Sequence, residues 1–113
     1  MTAQYTDLAG QVALITGGAG AIGRAISEGL IEAGVRVTLV DIADERLQSY
    51  AQELAAKYGP DKVLTIVADV CDSQQVKRAF DITLEEFGRL DILVNNAAAT
   101  QIKAVDLLSD EDI

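Results

Sequence analysis

The chain has 113 residues, of which 50% are apolar and 24% charged, with one proline and nine glycines. That composition excludes a disordered tail or a collagen-like fibre and indicates at most one domain with a packed core. Nine basic against eighteen acidic residues leave a net charge of -9, a field that repels phosphate backbones and argues against general nucleic-acid binding.

After a short polar lead, Gln11 to Thr16 is a brief apolar run of the length of a buried strand. Glycines follow at 17, 18, 20 and 23, and then Ile22, Ile26, Leu30 and Ala33 form the stripe of an amphipathic helix that Gly34 ends. Arg36 to Val40 is the second strand, closing on Asp41. A second helix carries Leu47, Tyr50, Leu54 and Tyr58 on one face and stops at Gly59-Pro60. Lys62 to Ala68 is predicted as the third strand. Ser73 is the expected N-cap of a third helix bearing Val76, Phe80, Leu84 and Phe87, closed by Gly88. Asp91 to Asn95 is the fourth strand, and residues 107–113 resemble the first turn of a further helix. Strands alternating with helices in this way predict parallel βαβ units, joined by right-handed crossovers into an open twisted sheet. The class is α/β.

A single cysteine, Cys71, cannot form an intramolecular disulfide and fits a reducing compartment. With no basic neighbour to activate it, its thiol is expected to be inert and partly buried. The chain has no histidine, so metal sites and Ser-His-Asp triads lose their usual residue. No apolar stretch approaches the ~20 residues of a membrane span, and the first seven residues carry no signal-peptide pattern. The expectation is a cytoplasmic chain with no metal, membrane or nucleic-acid partner.

The loop Thr16-Gly17-Gly18-Ala19-Gly20-Ala21-Ile22-Gly23 joins the first strand to the first helix. There the chain must turn tightly, admit a ligand phosphate to its backbone and pack the helix closely, and glycine permits all three. The helix N-terminus behind it offers N–H groups and a partial positive charge suited to a pyrophosphate. Shaping a tight turn would by itself explain the glycines, but Asp41 ends the next strand about twenty residues on, where a ribose-binding acid belongs. A nucleoside-triphosphate P-loop is excluded, because Arg24-Ala25 stand where Lys and Ser/Thr would be needed.

With Asp69-Val70 after the third strand and Asn95-Asn96-Ala97-Ala98 after the fourth, the sequence from Gln11 onward resembles the short-chain dehydrogenase/reductase family. Two positions depart from that pattern: Ala21 replaces the middle glycine of the loop, and Ala98 replaces the glycine of the Asn-Asn-Ala-Gly motif. The resemblance implies a Rossmann-type sheet of four strands in the order 3-2-1-4 with helices on both faces. It implies NAD as cofactor, held by Gly17, Ala19, Gly20, Ala21, Ile22, Gly23, Asp41, Ile42, Asp69, Val70, Asn95, Asn96 and Ala97. Asp69 can accept a hydrogen bond from the adenine amino group or serve only as a strand-end turn residue. Of Asn95 and Asn96, one is expected to be mainly structural and the other to lie near the cofactor.

The family's catalytic Ser, Asn and Tyr-x-x-x-Lys positions all fall beyond the Asn-Asn-Ala motif. The resemblance therefore implies that residues 1–113 are the N-terminal part of a single NAD(P)-binding domain, with no catalytic residue and no activity alone. A literal Tyr-x-x-x-Lys at Tyr58 to Lys62 is interrupted by Gly59-Pro60 and cannot present both side chains on one helical face. The complete enzyme is expected to be a homo-oligomer acting on a small alcohol or ketone. In the isolated chain, Ile92-Leu93-Val94 would form a bare sheet edge, which predicts marginal stability or self-association. Two other readings are weighed: a non-catalytic nucleotide-binding or self-associating fragment, and an S-adenosylmethionine-binding domain. The latter shares the glycine loop and the acid but not Thr16-Gly17 or Asn95-Asn96-Ala97.

Overall fold

Five consecutive buried residues, Val12–Thr16, form β1, and only a strand covered on both faces can accommodate such a run. A computed structural model of the chain describes residues 8–96, so the Ala97 position and the anticipated helix at 107–113 lie outside the described residues. In chain order there follow α1 (Ala21–Glu32), β2 (Arg36–Asp41), α2 (Asp44–Tyr58), a 3-10 turn (Pro60–Lys62), β3 (Val63–Val67), α3 (Ser73–Phe87) and β4 (Ile92–Asn95). The strands pair in parallel in the order β3-β2-β1-β4, as expected. The outward steps β1 to β2 to β3 put α1 and α2 on one face, and the return to β4 puts α3 on the other.

Strand alternation divides the core accordingly. Ala13, Ile15, Val37 and Leu39 pack with Ile31 of α1 and with Leu47, Tyr50 and Leu54 of α2. Leu14, Val40 and Ile66 pack with Ala79 of α3. Among the described residues no helix is long and apolar enough to cross a membrane.

The helix faces depart from the expected stripes. Ile22 is 65% exposed, and the innermost residues of α1 are Gly23, Ser27 and Ile31. Close contact between Gly23 and the loop backbone sets the rotation of the helix and turns Ile22 outward. In α3, Leu84 is 48% exposed and the buried positions are Ala79 and Thr83. The Thr83 hydroxyl lies 2.8 Å from the Ala79 carbonyl and 3.0 Å from Thr38 Oγ1, so its burial leaves no polar group unsatisfied. The N-cap of α3 is Asp72, whose Oδ1 accepts from the Gln74 N–H at 2.9 Å, and Ser73 is the first helical residue. Residues 69–72 form a tight turn in which the Asp72 N–H reaches the Asp69 carbonyl at 3.0 Å. Cys71, at the outside of that turn, is exposed instead of partly buried.

Entry into β4 is held by Asp91. Its Oδ2 accepts from the Val12 N–H at 2.9 Å and from Arg89 Nε at 2.8 Å, and Oδ1 accepts from the second arm of Arg89 at 3.0 Å. The Arg89 hydrogen bonds first, and the Val12 N–H second, hold this carboxyl below its ordinary value of 3.8. A depressed folded value stabilises the fold fully above the unfolded pKa and ceases to do so as pH falls through the lower folded value. Denaturant unfolding of Asp91→Asn should therefore show lower stability than the parent at pH 7 and a smaller difference below about pH 3. A stability gap independent of pH would contradict this assignment.

Candidate functional site at the carboxyl ends of the strands

The carboxyl ends of β1, β2, β3 and β4 bring together the glycine loop, Asp41, Asp69-Val70 and Asn95-Asn96. Because β3 and β4 lie on opposite sides of β1, the strand order reverses here, leaving a crevice at the point where open α/β sheets bind ligands.

Backbone packing accounts for some of the loop's glycines. Gly17 has φ +67, and a Cβ there would stand 3.2 Å from the Asn96 carbonyl oxygen. Gly18 presses on Leu39, with its Cβ position 3.0 Å from the Leu39 Cβ. Gly23 admits no side chain, since a Cβ would fall on the Gly17 carbonyl oxygen. Gly20 differs: it is the N-cap of α1 with φ -81, and its Cβ would meet only the Gly17 oxygen at 3.5 Å, an ordinary contact. Protein packing does not require glycine at position 20, so the open space beside it can admit a ligand. No side chain caps α1, and helix geometry leaves the N–H groups of Ala21, Ile22 and Gly23 without intrahelical acceptors. Such a cradle fits a pyrophosphate even with Ala21 at the middle glycine position.

Asp41 ties the loop to β2. Its Oδ2 accepts from the Ala19 N–H and its Oδ1 from the Ala43 N–H, both at 2.9 Å. The carboxylate is thereby fixed in orientation and half-exposed at the rim, beside Ile42, which is 67% exposed. Ile22 and Ile42 are large apolar side chains left open to solvent next to the crevice.

Asp69 is also a turn residue, its Oδ1 accepting from the Cys71 N–H at 2.9 Å. Val70, half-buried, lines a shallow apolar recess with Leu14, Val40, Phe80 and Leu93. Both asparagines are anchored by Thr16. Its hydroxyl donates to Asn95 Oδ1 at 3.1 Å and accepts from the Asn96 N–H at 2.9 Å, while Asn96 Nδ2 reaches the Gly17 carbonyl at 3.5 Å. The end of β4 is thus fastened to the first glycine. Sequence reasoning assigned no such role to Thr16; its signal is a hydroxyl closing an otherwise apolar strand directly before the loop.

The Tyr58-to-Lys62 coincidence lies apart from this edge. Tyr58 ends α2, and its hydroxyl lies 2.9 Å from a Glu28 carboxylate oxygen and 2.8 Å from one of Glu32, either of which can accept its single proton. Desolvation first, and these two carboxylates next, push the phenol up to about 12, away from the reactivity a proton-transferring tyrosine needs.

The sequence matches the short chain dehydrogenase family over residues 11–113. The chain belongs to the short-chain dehydrogenase/reductase family. Among its relatives, the 15-hydroxyprostaglandin dehydrogenase [NAD(+)] of Macaca fascicularis is 46% identical over 94 residues, covering 83% of this chain and 35% of the relative. A short-chain dehydrogenase/reductase from Burkholderia phymatum, solved with NAD, superposes with a TM-score of 0.76 at 33% identity, covering 80% of this chain and 31% of that one. The L-sorbose reductase of Gluconobacter frateurii, solved with NADPH and L-sorbose, gives 0.75 at 38% identity, covering 81% and 35% respectively. The chain spans about a third of the length of the curated relatives it matches first. These two solved neighbours hold nicotinamide nucleotides of both kinds, NAD in the first and NADPH in the second.

Proposed function

We propose that residues 1–113 form the cofactor-holding portion of an NAD-dependent short-chain oxidoreductase that moves a hydride between nicotinamide and an alcohol or ketone. The observation that carries this reading is the Asp41 carboxylate at the end of β2, joined to the glycine loop through the Ala19 N–H at 2.9 Å. Bound NAD would supply the hydride acceptor. The chain's own residues receive and orient it. The N–H groups of Ala21, Ile22 and Gly23 meet the pyrophosphate, Asp41 meets the ribose hydroxyls, and Ile22 and Ile42 supply apolar contact at the rim. Asp69 and Val70 meet the adenine, Gly17 and Gly20 leave room for the nucleotide, and Asn95 and Asn96 border the nicotinamide end. We place the complete enzyme in the cytoplasm as a homo-oligomer.

Isothermal titration with NAD, NADP and S-adenosylmethionine tests the reading, which requires NAD to bind most tightly. A second reading, a self-associating fragment, draws on Leu93, 39% exposed on β4, which pairs only with β1 among the described residues. Native mass spectrometry in the presence of NAD separates the two: bound nucleotide supports the first, and a nucleotide-free assembly supports the second. Hydride transfer itself needs groups that follow the Asn-Asn-Ala motif in the family's pattern. The purified 113-residue chain is therefore expected to reduce no NAD with any of a range of secondary alcohols, and steady NADH production would refute the division of labour.

A further inference from the structure

The turn between β3 and α3 carries a closed ring of hydrogen bonds that helix capping alone does not require. In an ordinary capping box the residue at N3 reaches back to the N–H of the N-cap. Here the N-cap is Asp72 and N3 is Gln75, but the Asp72 N–H is already taken by the Asp69 carbonyl at 3.0 Å. Gln75 Oε1 instead accepts from the N–H of Asp69 at 2.7 Å, and its Nε2 donates to Asp72 Oδ2 at 3.1 Å. Asp69 is therefore held at its N–H by Gln75, at its carbonyl by Asp72 and at Oδ1 by the Cys71 N–H. Its Oδ2 has no hydrogen-bond partner among the described residues. The arrangement presents one carboxylate oxygen as a pre-oriented acceptor at the edge of the crevice.

We propose that Gln75 is a positioning residue for base recognition, fixing Asp69 so that the site takes a base with an exocyclic amino group and disfavours one with a carbonyl in its place. The inference rests on the reading above in which Asp69 faces the adenine. An immobilised carboxylate accepts from an amino group and repels a carbonyl oxygen, whereas a mobile one can swing away from the carbonyl. Gln75 touches no ligand in this scheme and acts only through Asp69.

The test compares the affinities of the full-length protein for NAD and for nicotinamide hypoxanthine dinucleotide, in which a carbonyl replaces the amino group. Wild type should prefer NAD. Asp69→Ala should bring the ratio close to one. Gln75→Ala should reduce the ratio by about threefold to tenfold, with affinity for nicotinamide mononucleotide, which lacks the base, unchanged. An unchanged ratio in Asp69→Ala overturns the placement of Asp69 itself. A collapsed ratio in Asp69→Ala beside an unchanged one in Gln75→Ala overturns the role of Gln75 alone. Amide hydrogen exchange on the unmutated protein gives a reading independent of any variant. Slow exchange at Asp69 supports the anchor, and exchange as fast as that of an open turn amide refutes it.

Discussion

Replacing Gly23 by alanine is expected to damage both the fold and cofactor binding, although the change adds one methyl group. The new Cβ falls on the Gly17 carbonyl oxygen and stands 3.0 Å from the Gly17 carbonyl carbon and from the Gly18 Cα. All three obstacles are backbone, so no rotamer change relieves the clash, and either α1 tilts away or the loop opens. Overpacking of this kind costs about 1–3 kcal/mol, and a rigid obstacle puts Gly23→Ala at the upper end. Because the displaced elements are the loop and the first turn of α1, NAD affinity should fall by more than about tenfold. Gly29 is the control within the same helix. A Cβ there meets nothing within 4 Å, and Gly29→Ala should stabilise the protein by about 0.4–1 kcal/mol. Thermal melts with and without NAD check both. Equal melting temperatures for the two variants would refute the packing argument.

The second large effect is cofactor choice. We expect NAD to bind at least about tenfold more tightly than NADP, a difference of roughly 1.4 kcal/mol. The Asp41 carboxylate is oriented by the Ala19 and Ala43 N–H groups and can accept from the ribose hydroxyls, but it would meet a 2′-phosphate as a like charge. Gly18, Ala19 and Ile42 around it are uncharged. Arg36 lies at the opposite end of β2, where its guanidinium is stacked 4.8 Å over the Phe87 ring. Asp41→Ala should narrow the gap chiefly by relieving repulsion. It should also weaken NAD, because the Ala19 N–H loses the acceptor that ties the loop to β2. Asp41→Asn, which keeps an acceptor oxygen without the charge, should narrow the gap with less damage to NAD. Titration of the three proteins with both nucleotides measures this, and equal affinities in the unmutated protein would refute the role of Asp41.

Among the described residues, the four strands, the three helices between them and the parallel pairing could be read from local pattern, whereas the strand order rested on the family resemblance. Apolar runs such as Val12 to Thr16 are short enough for buried strands, and Gly34, Gly59 and Gly88 stop the helices where the stripes end. The placement of the glycine loop, Asp41, Asp69 and Asn95 at the strand ends was equally legible, since each follows or closes a strand. Helix rotation was not. The apolar stripe of α1 put Ile22 inward, but the contact of Gly23 with the Gly17 carbonyl overrode it, because a backbone approach tolerates less displacement than a side chain can relieve. Asp72 and Ser73 are both capping residues, and only the extended backbone at Asp72 decided between them. What the sequence by itself determined, then, was the set of elements and the kinds of residue at their ends. Only the tertiary structure decided which of those residues hold one another. Thr16 fastens Asn96 across 80 positions, and Gln75 reaches past its own helix cap to Asp69. Partners of that kind are set by strand register and side-chain reach, which no local period encodes.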